Sequence, residues 1–233
     1  MTPPIQPPRF QPFRELAGFV RGAASLPGIA LHKPRAGHVP SPVVVLPGYL
    51  AANGSTLALR AYLARRGHDV TGWEQGRNLG NVRRLVPRVI QAVAKRHEAA
   101  GQPVHLVGWS LGGIIAREVA REIPEAVAQV ITMGSPVIGG PKYTVMARGR
   151  RGGEQGLDEI ERAFAKRNAV PLTVPVTALY SKRDGVVAWE ACIDPHVANG
   201  VEHVEVDTTH VEFPWNADVL QRIAARIDTA PTR

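Results

Sequence analysis

Short apolar runs alternate with helical patterns along most of this chain, and that alternation restricts its fold more than any other feature. Val43-Val44-Val45-Leu46 contains no polar residue, as expected of a strand buried on both faces of a parallel sheet. Further strands are predicted at 68–73, 104–107, 128–133, 174–180 and 201–206. Helical spacing predicts helices over 55–66, over the run that opens at Ile114 and ends near Pro124, and over the last segment, where Val219, Leu220, Ile223, Ala224 and Ile227 share a face. The clearest helix follows Asn81, a suitable cap. Val82, Leu85, Val86, Val89, Ile90 and Val93 line one side, with Arg83, Arg84, Arg88 and Lys95 opposite. Pro87 on the polar side predicts a kink or a later start. Strand alternating with helix specifies an α/β chain: a doubly wound, mostly parallel sheet of about six strands with helices on both faces.

Two segments break the rhythm. Residues 1–40 form a proline-rich arm, with Pro3, Pro4, Pro7, Pro8 and Pro12 in its first 12 residues. Within the arm, 13–25 has the spacing of a short helix, which reads better as edge packing than as a membrane-surface helix because Gly18 and Gly22 interrupt it. The main domain spans 41–233. Inside it, 137–171 is a small insertion whose arginine- and glycine-rich part, 148–156, precedes an amphipathic stretch marked by Leu157, Ile160 and Phe164. An insertion of this kind serves as a cap over a site or as a plain surface loop.

One string carries chemistry. Gly108-Trp109-Ser110-Leu111-Gly112-Gly113 lies between the strand at 104–107 and the helix that opens at Ile114. A serine on so sharp a strand-to-helix turn has its hydroxyl thrust above the sheet, and the flanking glycines give room that a β-carbon would close. A serine hydroxyl needs a neighbouring base. Of the eight histidines, His210 alone lies in a loop just past a strand's C-terminal end and before the last helix, the edge where open α/β sheets build their sites. Asp184, in the loop after the strand at 174–180, suits the acid that orients the imidazole. Asp194 and Asp207 are its rivals, the first reading better as a turn former and the second as a neighbour of the base. The backbone N–H of Leu111 is one oxyanion donor. The other is Tyr49, following Gly48, or else Leu50.

In that order, Pro47-Gly48-Tyr49, the serine turn, Asp184 and His210 resemble an α/β-hydrolase over roughly residues 43–228. Met133-Gly134-Ser135-Pro136 with Gly139-Gly140, the 72–80 loop and Asp184-Gly185-Val186-Val187-Ala188-Trp189 resemble bacterial lipase- and esterase-like serine hydrolases. Pro47 departs from that pattern, since many lipases carry histidine before the oxyanion glycine. The resemblance implies hydrolysis of carboxylic esters through an acyl-enzyme on Ser110, with Trp109, Val187 and Trp189 beside the substrate. Thioesterases, amidases and acyltransferases share the same three residues, and a non-catalytic binding protein of this fold is the rival from another class.

The net charge is +8, from 28 Lys and Arg against 20 Asp and Glu. The arginines are spread over several helices without interleaved aromatics, so nucleic acid is not an expected partner; the resemblance implies a small-molecule or lipid ester instead. Charge of this sign attracts anionic membrane surfaces weakly. No metal or organic cofactor is called for, since no histidine and carboxylate cluster has ligand spacing. The single cysteine, Cys192, excludes an intrachain disulfide. With no signal-like or membrane-length apolar run, it gives a cytoplasmic location as the expectation.

Overall fold

A computed structural model describes residues 39–147 and 153–230, together with positions 5, 6, 8, 13, 15, 17, 18 and 21. Six strands form one sheet: β1 (Pro42–Leu46), β2 (Asp69–Gly72), β3 (Val104–Trp109), β4 (Val127–Met133), β5 (Val176–Tyr180) and β6 (Val201–Glu205). All are parallel, in the order β2-β1-β3-β4-β5-β6. Among the described residues from 39 onward, five α-helices accompany them: α1 (Leu57–Arg65), α2 (Val82–Ala100), α3 (Leu111–Glu122), α4 (Gly153–Asn168) and α5 (Ala217–Asp228).

Side chains alternate across each strand, and the alternation divides the core in two. Val44 and Leu46 of β1 point to one face, with Leu106 and Val130, and are covered by Leu85, Val89 and Val93 of α2 and by Ile115 and Val119 of α3. Val43 and Val45 point to the other, with Val107 and Ile131, beneath Leu59, Tyr62 and Leu63 of α1 and Val219, Leu220, Ile223 and Ile227 of α5. Each fully buried aliphatic side chain contributes about 1.5–3 kcal/mol. A strand buried on both faces therefore has to read as a continuous apolar run. The sheet is the doubly wound one the sequence predicts, and β1 and β3 lie side by side where the strand order changes direction. That crevice is where ligands bind in such sheets.

Helix α2 begins at Val82, where Asn81 caps it by accepting from the Arg84 amide at 3.2 Å, and it runs through Pro87 without a later start. Pro87 is exposed and near the N-terminal end, so its missing N–H removes only one bond of the ladder. Of the helix expected at 13–25, residues 13, 15, 17, 18 and 21 are helical, and the remainder lies outside the described residues, as do most of the arm and 148–152.

The insertion is tied to the sheet's helices. In α4, Arg167 pairs with Glu118 and Glu122 of α3, and Asn168 Nδ2 donates to Val137 O at 2.5 Å. Lys142 bonds Asp158 at 2.7 Å and Glu161 at 2.5 Å, and Tyr143 Oη donates to Glu161 at 2.6 Å. Among the described residues, no helix is long and apolar enough to cross a membrane.

Candidate active site

Ser110 joins β3 to α3 with φ 54° and ψ −120°, a left-handed backbone that costs a non-glycine residue free energy and recurs where function needs it. Its amide donates to Met133 O at the end of β4 (2.7 Å) and its carbonyl accepts from Gly113 N (3.0 Å). Close approach explains the glycines around it. A β-carbon on Gly108 would run into the Gly112-Gly113 backbone, and one on Gly112 into Leu46 O and Pro47 O. The turn is thus packed against both β3 and β1. A β-carbon on Gly48 would lie 3.3 Å from Ser110 Cβ, so the loop after β1 passes directly beside the serine.

The structure brings His210 and Asp184 together. His210 Nδ1 bonds Asp184 Oδ2 at 2.7 Å, with both residues buried. The other carboxylate oxygen, Oδ1, accepts from Val186 N and Val187 N, each at 2.8 Å. Burial works against the charged imidazolium of His210, but the Asp184 carboxylate and the charge of Glu15 outweigh it and raise its pKa above the usual 6.5. Gly134, at φ 55°, borders the pair: a β-carbon there would come within 3.0 Å of Asp184 Oδ2 and 3.2 Å of His210 Nδ1.

The rivals are engaged elsewhere. Asp194 pairs with the buried Arg117 and accepts from Asn199 Nδ2 at 2.8 Å. Asp207 meets Arg183 at 2.8 Å on the surface. His105 is buried beside Gln129, where desolvation pulls its pKa down to about 4. His68 bonds Asp228, and His203 accepts from the Asp194 amide. His32 and His38 lie outside the described residues. Burial pushes the Cys192 thiol well above its ordinary pKa, which removes it as a nucleophile.

The loop after β1 is fixed by a residue of the 72–80 loop to which sequence reasoning gave no role. Asn78 is fully buried; its Nδ2 donates to Pro47 O at 2.9 Å and its Oδ1 accepts from Gly80 N at 3.2 Å. Its backbone accepts from Leu50 N at 2.7 Å and donates to Ala51 O at 2.8 Å. The Leu50 amide is therefore taken, which leaves Tyr49 rather than Leu50 as the candidate second donor in the loop that passes beside Ser110. The only local signal for Asn78 is an asparagine between Gly76 and Gly80. Asn78→Ala orphans Pro47 O and Gly80 N, so a loss of unfolding stability of about 2 kcal/mol or more is expected. Chemical denaturation should show it as a lower midpoint with an unchanged slope.

The three residues expected beside the substrate have structural partners. Trp109 is half-buried; its Nε1 donates to His210 O at 3.1 Å, and its ring centroid lies 5.6 Å from the imidazole. Val187 is buried and serves Asp184 through its amide. Trp189 stacks on Tyr180 at 5.7 Å, with Lys182 Nζ 5.5 Å from its ring. Among the described residues, no group of three or more His, Cys, Asp or Glu converges as metal donors.

A parallel sheet of this order, with a serine on a strained turn and a paired aspartate and histidine at its C-terminal edge, is the architecture of the α/β hydrolases. Residues 50–182, more than half the chain, match the family described as palmitoyl protein thioesterase, and the chain belongs to that family. No curated protein matches it in sequence. Among solved structures it is similar to lipase B of Aspergillus fumigatus, with a TM-score of 0.64 and 17% identity over 86% of this chain. The chain spans 56% of that lipase's length. It is also similar to mouse alpha/beta hydrolase domain-containing protein 10, with a TM-score of 0.56, 19% identity, and coverage of 84% of this chain and 90% of the mouse protein. An esterase of Pyrococcus furiosus gives a TM-score of 0.56 at 15% identity, covering 81% of this chain and 80% of the esterase. At such identities the likeness is one of fold.

Proposed function

We propose that the protein is a serine hydrolase that cleaves carboxylic esters and thioesters through an acyl-enzyme on Ser110. The observation that carries this reading is the left-handed Ser110 turn at the sheet edge that also holds the buried Asp184–His210 pair. With Nδ1–H held by Asp184, the imidazole presents Nε2 as an acceptor. It takes the Ser110 proton as Oγ attacks the acyl carbonyl. The same proton then passes to the departing alkoxide or thiolate, leaving the acyl group on Ser110. Water repeats the sequence in reverse and releases the acid. The developing oxyanion is met by the amides of Leu111 and Tyr49, at the N-terminal end of α3, whose dipole favours negative charge.

Thioester chemistry is favoured by the family's name, and a long acyl chain by the apolar rim. Tyr49, Leu50 and Leu79 are all exposed, and the Leu50–Asn78 bond sets the two loops side by side. The ring of Tyr49 reaches Gly80. The test uses one acyl series, acetyl to palmitoyl, as p-nitrophenyl esters and as N-acetylcysteamine thioesters, with a fluorophosphonate adduct mapped by mass spectrometry. The expected result is an adduct on Ser110 and rates that rise with chain length. An intact, folded protein that takes no adduct and turns over neither series would overturn the reading in favour of a binding protein.

A further inference from the structure

We propose that Glu15, in the N-terminal arm, is a positioning residue of this site: its carboxylate ties the loop carrying Asp184 to the loop carrying His210. The proposal rests on the functional reading above. Glu15 is 4% exposed. Its Oε1 accepts from Gly185 N at 3.0 Å and from His210 N at 3.4 Å, while Oε2 accepts from Val211 N at 3.0 Å. One oxygen thus bridges the residue after the acid and the base itself, across two loops far apart in sequence. Among the described residues no cation pairs with this carboxylate, so three backbone amides offset its desolvation. A buried charge held only by N–H groups is costly unless the geometry is close.

The surroundings show that this helical segment is seated on the base loop. A β-carbon at Gly18 would collide with the Thr209 side chain. Arg21 forms a two-pronged pair with the buried Glu212, Nε at 2.9 Å and Nη2 at 2.7 Å. Glu212 in turn accepts from Thr209 N and Asn216 Nδ2. A β-carbon on Gly185 would lie 2.8 Å from Glu15 Oε1, so the glycine after the acid admits the carboxylate.

Among the described residues, the charged groups around His210 are few. Asp184 holds Nδ1, Glu15 holds the backbone, and the rings of Trp109 and Phe213 pack on the imidazole. Glu212 is turned to Arg21, and Asp207 to Arg183. Glu15 therefore acts on the base in two ways, by fixing its backbone relative to Asp184 and by adding negative charge that favours the imidazolium.

The test compares full-length wild type with Glu15→Gln and Glu15→Ala on p-nitrophenyl octanoate, together with thermal unfolding and an NMR titration of the His210 ring. Small displacements of reacting groups cost on the order of 10- to 100-fold, so kcat should fall by about that much with KM little changed. Loss of the facing anion lowers the His210 pKa, so the acid limb of kcat/KM and the NMR titration should both move to lower pH in Glu15→Gln. Folded variants with wild-type kcat and an unmoved limb would overturn the proposal. A loss that only tracks the unfolded fraction, or failure of both variants to fold, would assign Glu15 a purely structural part and overturn it as well. Should wild type itself neither turn over nor label at Ser110, the hydrolase reading fails first. The His210 titration then decides the clamp alone, and an unmoved pKa sinks it.

Discussion

Ser110→Ala is expected to abolish ester hydrolysis, with kcat lower by a factor on the order of 10^6, while the fold and its stability stay near wild type. Removing the serine of such a constellation costs about as much as removing all three residues, because the remaining groups have nothing to act on. The residual rate should still exceed that in water by about 10^3- to 10^4-fold, since the proposed oxyanion donors, the amides of Leu111 and Tyr49, and the apolar rim are untouched. Alanine at position 110 must keep the left-handed φ of 54°, a strain serine already bears, so little further destabilisation follows. The measurement is steady-state hydrolysis of a p-nitrophenyl ester alongside thermal unfolding. Hydrolysis at the wild-type rate by the folded alanine variant would remove Ser110 from the chemistry.

The sheet was legible because its physics is local. A strand covered on both faces must be apolar at every position, as Val43-Val44-Val45-Leu46 is, and a helix covering one face must be apolar at every third or fourth, as α2 is. The Ser110 turn was legible because its glycines are demanded by close packing on β1 and β3, a constraint that leaves a mark in the string itself. Groups that act through backbone amides leave no such mark. Nothing near Glu15 in sequence hints at Gly185, His210 or Val211, which are 170 to 196 positions away. The arm's proline content instead sets it apart from the domain on which its helical segment is seated. Asn78 was hidden for the same reason, since most of its partners belong to the loop after β1. Trp109 and Val187 were expected beside the substrate from the resemblance and their places near Ser110 and Asp184 in the chain. Position could not reveal that the first donates to the His210 carbonyl and the second to the Asp184 carboxylate.

Asp184→Asn should lower kcat by a factor on the order of 10^4, equivalent to about 5.5 kcal/mol of transition-state stabilisation, with the fold intact. The substitution is isosteric, so Val186 N and Val187 N still find an acceptor at Oδ1 and the loop keeps its shape. The side-chain nitrogen then occupies the place of Oδ2 and donates to His210 Nδ1. That bond reverses the direction of the present one and puts the proton on Nε2, where the imidazole can no longer accept from Ser110. The electrostatic effect has a separate signature. Burial already disfavours the charged imidazolium, and the Asp184 carboxylate is the main influence opposing it. Its removal should bring the His210 pKa down, and the acid limb of kcat/KM should move toward lower pH. In wild type that limb should lie above 6.5, because the base is active only when deprotonated and its pKa is raised. The two readouts separate the contributions: the plateau reports the tautomer and the limb reports the charge. A folded Asp184→Asn variant with an unmoved limb would mean that another carboxylate faces the base in solution. Glu15, the other carboxylate whose charge favours the imidazolium, would be the first to substitute next.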